Sequence, residues 1–249
     1  MKFAIKSKAN SRFLPVRVFG ASVRGPMHTR SAQPCEDAWK GSEMHQAAAI
    51  SVSDGMGSKP AAARGARAAV TAAIRAARTW GTAHTAEPDW ICRLIEAQWR
   101  FAVEPEQPRN CAATCHMIAA HAQGGIVYVG LGDGMALLQS GKKPVQRLYS
   151  RPPSDFVNES LGLGVNHRIA DWAHARLPLP KAPWIAVLVT DGIADDLRPE
   201  KLEVFLKWLR DDIGRRPPAA RLTALRKALR EWPTPGHLDD KTVAVLLSH

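Results

Sequence analysis

The sequence predicts an α+β protein built on antiparallel sheets. Three observations carry that prediction. Apolar runs of strand length cluster between residues 112 and 139 and recur at 47–53, 184–189 and 242–247. Helical patterns stand in pairs, 61–80 with 88–103 and 202–209 with 219–229, so strand and helix blocks are segregated rather than alternating as a parallel doubly wound sheet requires. Finally, the apolar runs are bordered by acids at five places: Cys35-Glu36-Asp37-Ala38, Val52-Ser53-Asp54-Gly55, Leu131-Gly132-Asp133-Gly134, Val189-Thr190-Asp191-Gly192 and Leu238-Asp239-Asp240-Lys241.

In chain order, 13–23 alternates loosely between apolar and polar residues and reads as a strand. Arg24-Gly25-Pro26-Met27-His28-Thr29-Arg30 reads as a loop rich in groups that could bind phosphate. A short apolar strand, 47–53, ends at Asp54, where Gly55 and Gly57 let the backbone turn closely around a ligand. The Ala/Arg-rich 61–80 has high helix propensity and a small-residue stripe suited to close packing on a sheet, with its arginines as the solvated face. Pro88 opens a second helix, 88–103, with Ile91, Leu94, Ile95 and Trp99 on one face. After a linker at 105–110, the runs 112–120, 125–131 and 135–139 read as an antiparallel meander. The irregular 142–168, with Pro152-Pro153, Gly162 and Gly164, suits a surface flap near a site. A continuous apolar strand at 184–189 leads into Asp191, two amphipathic helices flank Arg215-Arg216-Pro217-Pro218, and a strand at 242–247 closes the chain. The acidic stretches span residues 36 to 240 and would meet only if 1–249 forms a single domain.

Composition narrows the function. At 249 residues and 45% hydrophobic the chain can bury a normal core. No apolar run reaches the roughly 20 residues that span a bilayer, and the basic start lacks an apolar signal segment. The expectation is a soluble, cytoplasmic protein with no membrane partner. None of the four cysteines makes a C-x-x-C pair, and Cys111 and Cys115, in an apolar stretch that looks like a strand, read as reduced, buried thiols. The net charge of +11 suits a phosphorylated or acidic partner; no aromatic ladder or base-reading motif accompanies it, which argues against nucleic acid.

One Asp-Gly is an ordinary turn. Acids gathered at several strand ends of a basic chain read instead as ligands for hard divalent cations, and so as metal-assisted phosphoryl or hydrolytic chemistry. No G-x-S-x-G elbow and no Cys with a phosphate-cradling loop offers a protein nucleophile.

The ordered set E-D-A, V-x-D-G-x-G-S before an Ala-rich helix, G-L-G-D-G, V-T-D-G-I-x-D and D-D-K-T-V-A-V-L-L resembles the type 2C metal-dependent protein serine/threonine phosphatases, with an opening segment like that of a bacterial branch. The likeness covers nearly the whole chain. It implies a β-sandwich of two packed antiparallel sheets flanked by helices, with two or three Mn²⁺ or Mg²⁺ ions at one end. By position it implies Asp54 as the ligand bridging two metals and the Gly55 carbonyl as a ligand to one. Asp191 and Asp239 would complete the second metal, Glu36 and Asp37 would act through metal-bound water or the second shell, and Asp133 and Asp195 would take a third metal. Asp240 is expected to be a solvent-facing or structural neighbour. The implied reaction is hydrolysis of phosphoserine and phosphothreonine in proteins by a hydroxide bridging the metals, opposing a serine/threonine kinase in bacterial signalling.

Two positions depart from the family pattern. Met56 stands where many members carry a His that protonates the leaving group. Ala32 stands four residues before the Glu-Asp pair, where a phosphate-binding Arg is usual, which leaves that role to His28, Arg24 or Arg30, with His28 favoured because it follows Gly25 where the strand should reach the site. The competing reading of His28 is a loop histidine that bonds backbone. Both departures motivate an alternative function, a catalytically weak module that binds phosphoproteins.

Overall fold

The computed structural model describes residues 14–150 and 161–248. Strands β1 (Val16–Val23), β10 (Lys241–Ser248), β9 (Trp184–Val189), β6 (Met135–Ser140) and β7 (Gln146–Ser150) form one sheet in that order. Strands β2 (Ala38–Glu43), β3 (Ala47–Ser53), β4 (Cys115–His121), β5 (Gly125–Leu131) and β8 (Ala173–Leu177) form the other. Every neighbouring pair is antiparallel.

The period-2 alternation of side chains divides each central strand between two cores. In β3, Ala48, Ile50 and Val52 point between the sheets, while Ala49 points outward to the helices. In β10, Ala244 and Leu246 point inward, and Val243, Val245 and Leu247 outward. Both faces are covered, which is why these strands read as continuous apolar runs despite being antiparallel. Helices α2 (Ala62–Thr82) and α3 (Pro88–Val103) cover the outside of the second sheet. The alanine stripe of α2 permits close approach, and at Gly65 a Cβ would stand 1.7 Å from the Cys111 carbonyl oxygen. Helices α5 (Leu202–Lys207) and α6 (Pro218–Arg230) cover the first sheet through Leu206, Leu225 and Leu229.

Some expectations from the sequence need correction. The 24–30 loop contains a short helix, α1 (Pro26–Arg30), opened by Pro26. The run 112–139 is not a simple meander: β4 pairs with β5, but β6 crosses to the other sheet and pairs with β9 and β7. The crossing is made at Leu131-Gly132-Asp133-Gly134, where φ is +95° at Gly132 and +142° at Gly134, backbone conformations that glycine adopts without strain. The flap expected at 142–168 is ordered as β7 over its first part. Its 151–160 portion, like residue 13 of the strand expected at 13–23 and the basic start of the chain, lies outside the described residues; the strand itself begins at Val16. All four cysteines are free.

Candidate metal centre

The acids collect where strands from both sheets end. Asp54 follows β3 directly. Its backbone is clamped by Thr114: the Asp54 N–H donates to Thr114 Oγ1 at 2.8 Å, and the Thr114 N–H donates to the Asp54 carbonyl at 2.8 Å. Asp191 follows β9 and opens α4 (Asp191–Ala194); its Oδ1 accepts from the Gly192 N–H at 2.8 Å. Asp239 precedes β10 and accepts from the Asp240 N–H at 2.8 Å. Asp37 immediately precedes β2 and is buried, its Oδ2 accepting from Thr190 Oγ1 at 2.8 Å. Asp195, one turn after Asp191, is exposed.

Asp133 sits on the crossover between the sheets. Its backbone carbonyl is 2.8 Å from His116 Nε2, and His116 Nδ1 lies 2.9 Å from the Tyr128 hydroxyl. Burial drives the His116 pKa down to about 4, so the ring is neutral at physiological pH. Nε2–H therefore donates to the carbonyl, and Nδ1 accepts from Tyr128. The Tyr149 hydroxyl donates to the Gly132 carbonyl at 2.9 Å, pinning the same turn.

Electrostatics show which acids share a neighbourhood. Burial, then the charges of Asp37 and Asp191 and, further down, Asp239, push Asp54 well above the usual carboxylate range. Asp37 is pushed up to about 8, chiefly by burial and against the bonds it accepts from Thr190 and Thr242; the charge of Asp191 adds to the rise. Asp191 rises to about 6 through burial and the charge of Asp239, with Asp195 and Asp133 contributing. The structure thus brings Asp37, Asp54, Asp133, Asp191, Asp195 and Asp239 into one electrostatic group. Among the described residues, however, no group of three His, Cys, Asp or Glu side chains is arranged to hold a metal ion.

The donor set nevertheless suits hard cations. Mg²⁺ binds through one or two carboxylates and keeps several waters, so a clasp of three side chains is not needed. Carboxylates held together against their mutual repulsion are what a dication offsets. Glu36 adds a further sign: its Oε2 is buried without a hydrogen-bond partner, in a space that a Cβ on Gly57 would approach to 3.4 Å.

Asp54, Asp133 and Asp191 line one cleft of about 700 Å³, together with Thr114, Met56 and two cations, Lys59 and Arg109. Among the described residues, no His or Cys lines it. Gly55, the expected carbonyl ligand, is buried beside it; its N–H donates to the Glu36 carbonyl at 3.2 Å, and a Cβ there would meet the Ala62 backbone at 2.7 Å. His28, Arg24 and Arg30 do not line this cleft. His28 is buried, with Nδ1 donating to Asp240 Oδ2 at 3.0 Å and Nε2 lying 3.9 Å from Glu36 Oε2. Arg24 and Arg30 are exposed.

Asp240 is not solvent-facing; it is the structural neighbour of the two expected roles. Only 1% exposed, it accepts from the Gly25 N–H and the Glu36 N–H, each at 2.6 Å, as well as from His28. It ties the 24–37 segment to the start of β10 and so sets where Glu36 and Asp37 stand. Sequence reasoning passed over Thr114, His116, Thr190, Lys59 and Arg109. Thr190 was legible as the residue just before an Asp-Gly, but nothing local points to His116 or Arg109.

A two-sheet sandwich that gathers strand-end carboxylates from both sheets around an open cleft, with no His or Cys lining it among the described residues, has the donor groups of a metal-assisted hydrolase. The chain belongs to the protein phosphatase 2C family, whose model matches residues 24–232. None of the curated proteins matches it in sequence. Its fold is similar to that of the photosystem II phosphatase PBCP (TM-score 0.64, 13% identity, 94% of this chain and 99% of that one). The S. agalactiae serine/threonine phosphatase is comparably similar (TM-score 0.63, 14% identity, 94% and 100%). So is RsbX, solved in complex with magnesium (TM-score 0.59, 13% identity, 94% and 95%).

Proposed function

We propose that this chain, acting as a single catalytic domain, hydrolyses phosphoserine and phosphothreonine in protein substrates with Mn²⁺ or Mg²⁺, and that it opposes a serine/threonine kinase in bacterial signalling. The observation that carries the reading is the convergence of Asp54, Asp133 and Asp191 on one cleft, in electrostatic contact with Asp37, Asp195 and Asp239. The chemistry that such cations supply when bound is a water acidic enough to attack near neutral pH and neutralisation of charge on the phosphate. Asp54, Asp191, Asp239 and the Gly55 carbonyl would hold two ions, Asp133 and Asp195 a third, with Asp37 and Glu36 in support. Thr114 fixes the Asp54 backbone, and the neutral His116 fixes the Asp133 turn. Lys59 and Arg109 bring positive charge to the cleft and would orient the phosphate, a role the sequence assigned to His28, Arg24 or Arg30. The Met56 thioether cannot donate a proton to the leaving group.

The test is release of phosphate from a phosphothreonine peptide by the intact protein with and without Mn²⁺. Metal-dependent release that Asp54→Asn abolishes supports the reading; release that ignores both metal and Asp54 refutes it. The same Met56 favours the second reading, a phosphoprotein-binding module with weak turnover. Unchanged phosphopeptide binding by metal-stripped protein, with no turnover on adding metal, would select it.

A further inference from the structure

Arg24 and Arg30, singled out in the sequence as phosphate ligands, have a different place from the cleft. They line a groove between α1 and α6, made of two adjoining cavities of about 320 and 440 Å³ that share Val23, Arg24, Thr29 and Arg230. Arg226 and Arg230 enter from successive turns of α6, Arg24 and Arg30 from the α1 segment, and Lys241, only 2% exposed, comes from the start of β10. The acid lining the groove is Asp239, the proposed metal ligand, whose charge is felt by Asp54 and Asp191. Asp239 thus lines the groove and acts electrostatically on two acids that line the cleft.

Five arginines elsewhere form ion pairs among the described residues: Arg100 with Glu96, Arg168 with Asp171, Arg176 with Glu87, and both Arg210 and Arg215 with Asp211. Among the described residues none of Arg24, Arg30, Arg226 or Arg230 forms an ion pair, although two separate elements bring them to one concavity. Arg24 spends one donor on the Gln33 carbonyl, at 3.1 Å. Guanidinium forks match phosphate oxygens bidentately, and a phosphoryl group carries about −1.5 to −2 charge where a carboxylate carries one. Lys241 feels the charges of Asp196, Asp239, Asp37 and Asp191, whereas the four exposed guanidinium groups have no carboxylate at ion-pair distance among the described residues.

We propose that this groove receives a second phosphate on the same protein substrate, so that doubly phosphorylated segments are preferred. The proposal rests on the phosphatase reading for the occupant of the cleft. The test uses peptides of one sequence carrying either a single phosphothreonine or the phosphothreonine plus one phosphoserine, placed two to six residues away on either side. Binding to metal-stripped full-length protein is read by fluorescence anisotropy, and kcat/KM of the Mn²⁺-loaded protein by phosphate release. At the favoured spacing, the doubly phosphorylated peptide is expected to bind at least about ten-fold tighter. Charge reversal of the exposed Arg226 and Arg230 to Glu should erase that advantage while leaving hydrolysis of p-nitrophenyl phosphate unchanged. No preference at any spacing, a preference that survives the reversal, or displacement of the peptide by an equal concentration of an RNA oligonucleotide overturns the proposal. A preference in binding without any hydrolysis of p-nitrophenyl phosphate upholds the groove and overturns the catalytic reading instead.

Discussion

Asp240→Ala is the perturbation whose cost the geometry fixes best. The carboxylate is buried and accepts from two backbone N–H groups at 2.6 Å and from the His28 ring at 3.0 Å. Truncation strands three buried donors. Each such donor costs roughly 1–3 kcal/mol, so even the lower end gives about 3 kcal/mol. For a chain of this length that is roughly 6–12 °C in Tm. Asp240→Asn keeps the shape, but its amide nitrogen must face at least one N–H, which predicts a loss of about 1 kcal/mol or more, roughly 2–4 °C. Thermal melts of the metal-stripped proteins, followed by far-UV circular dichroism, read both values. Both variants should also lose divalent-metal affinity by titration calorimetry, because Glu36 and Asp37 lose their anchor to β10. An Asp240→Ala protein that melts within about 2 °C of the parent would refute the reasoning.

Other consequences can be checked separately. The metal-stripped protein should lose stability as pH rises: Asp37 moves from an ordinary 3.8 to about 8 in the fold and Asp191 to about 6, so the folded state holds protons that the unfolded chain has released, and stability present below pH ~4 drains away towards pH 8. Melts between pH 5 and 9 should show Tm falling with pH and Mn²⁺ raising it most at the alkaline end; a Tm that climbs with pH contradicts this. Tyr128→Phe leaves the buried His116 Nδ1 without its donor and should lower the urea-unfolding free energy by about 1–3 kcal/mol; an unchanged midpoint and slope would exclude that bond as a support of the Asp133 turn. Gly65→Ala should lower Tm despite alanine's advantage of about 1 kcal/mol in a helix, because its Cβ would meet the Cys111 carbonyl at 1.7 Å; a raised Tm would mean that α2 can move away at no cost.

Much of this architecture was legible where composition and burial agree. Helix α3 begins at Pro88 and ends at Val103 as its spacing indicates, and β5 matches its apolar run. β2 was missed because Ala-Trp-Lys-Gly-Ser-Glu mixes charge and glycine, as an edge strand can. The other edge strand of that sheet, β8, has only half-buried and exposed residues and carries little apolar signal. The destination of β6 could not be read because a Gly-Asp-Gly turn announces a reversal without naming the partner strand. In the site, the acids were visible because each interrupts an apolar run. The supports were not: Thr114 and His116 look like ordinary strand-end residues, and Lys59 and Arg109 meet in the cleft only through tertiary packing. His28 stood out as a histidine in a glycine-proline loop, but its bond to Asp240 spans 212 positions of the chain and has no local signature.

Asp54 is carried by one sheet, whereas Asp191 and Asp239 are carried by the other. An ion shared among them would rivet the two layers, and its affinity becomes a gauge of their alignment. Repacking well away from the acids, at Ile50 or Leu246 in the shared interior, would then register as a change in dissociation constant before any fall in secondary structure.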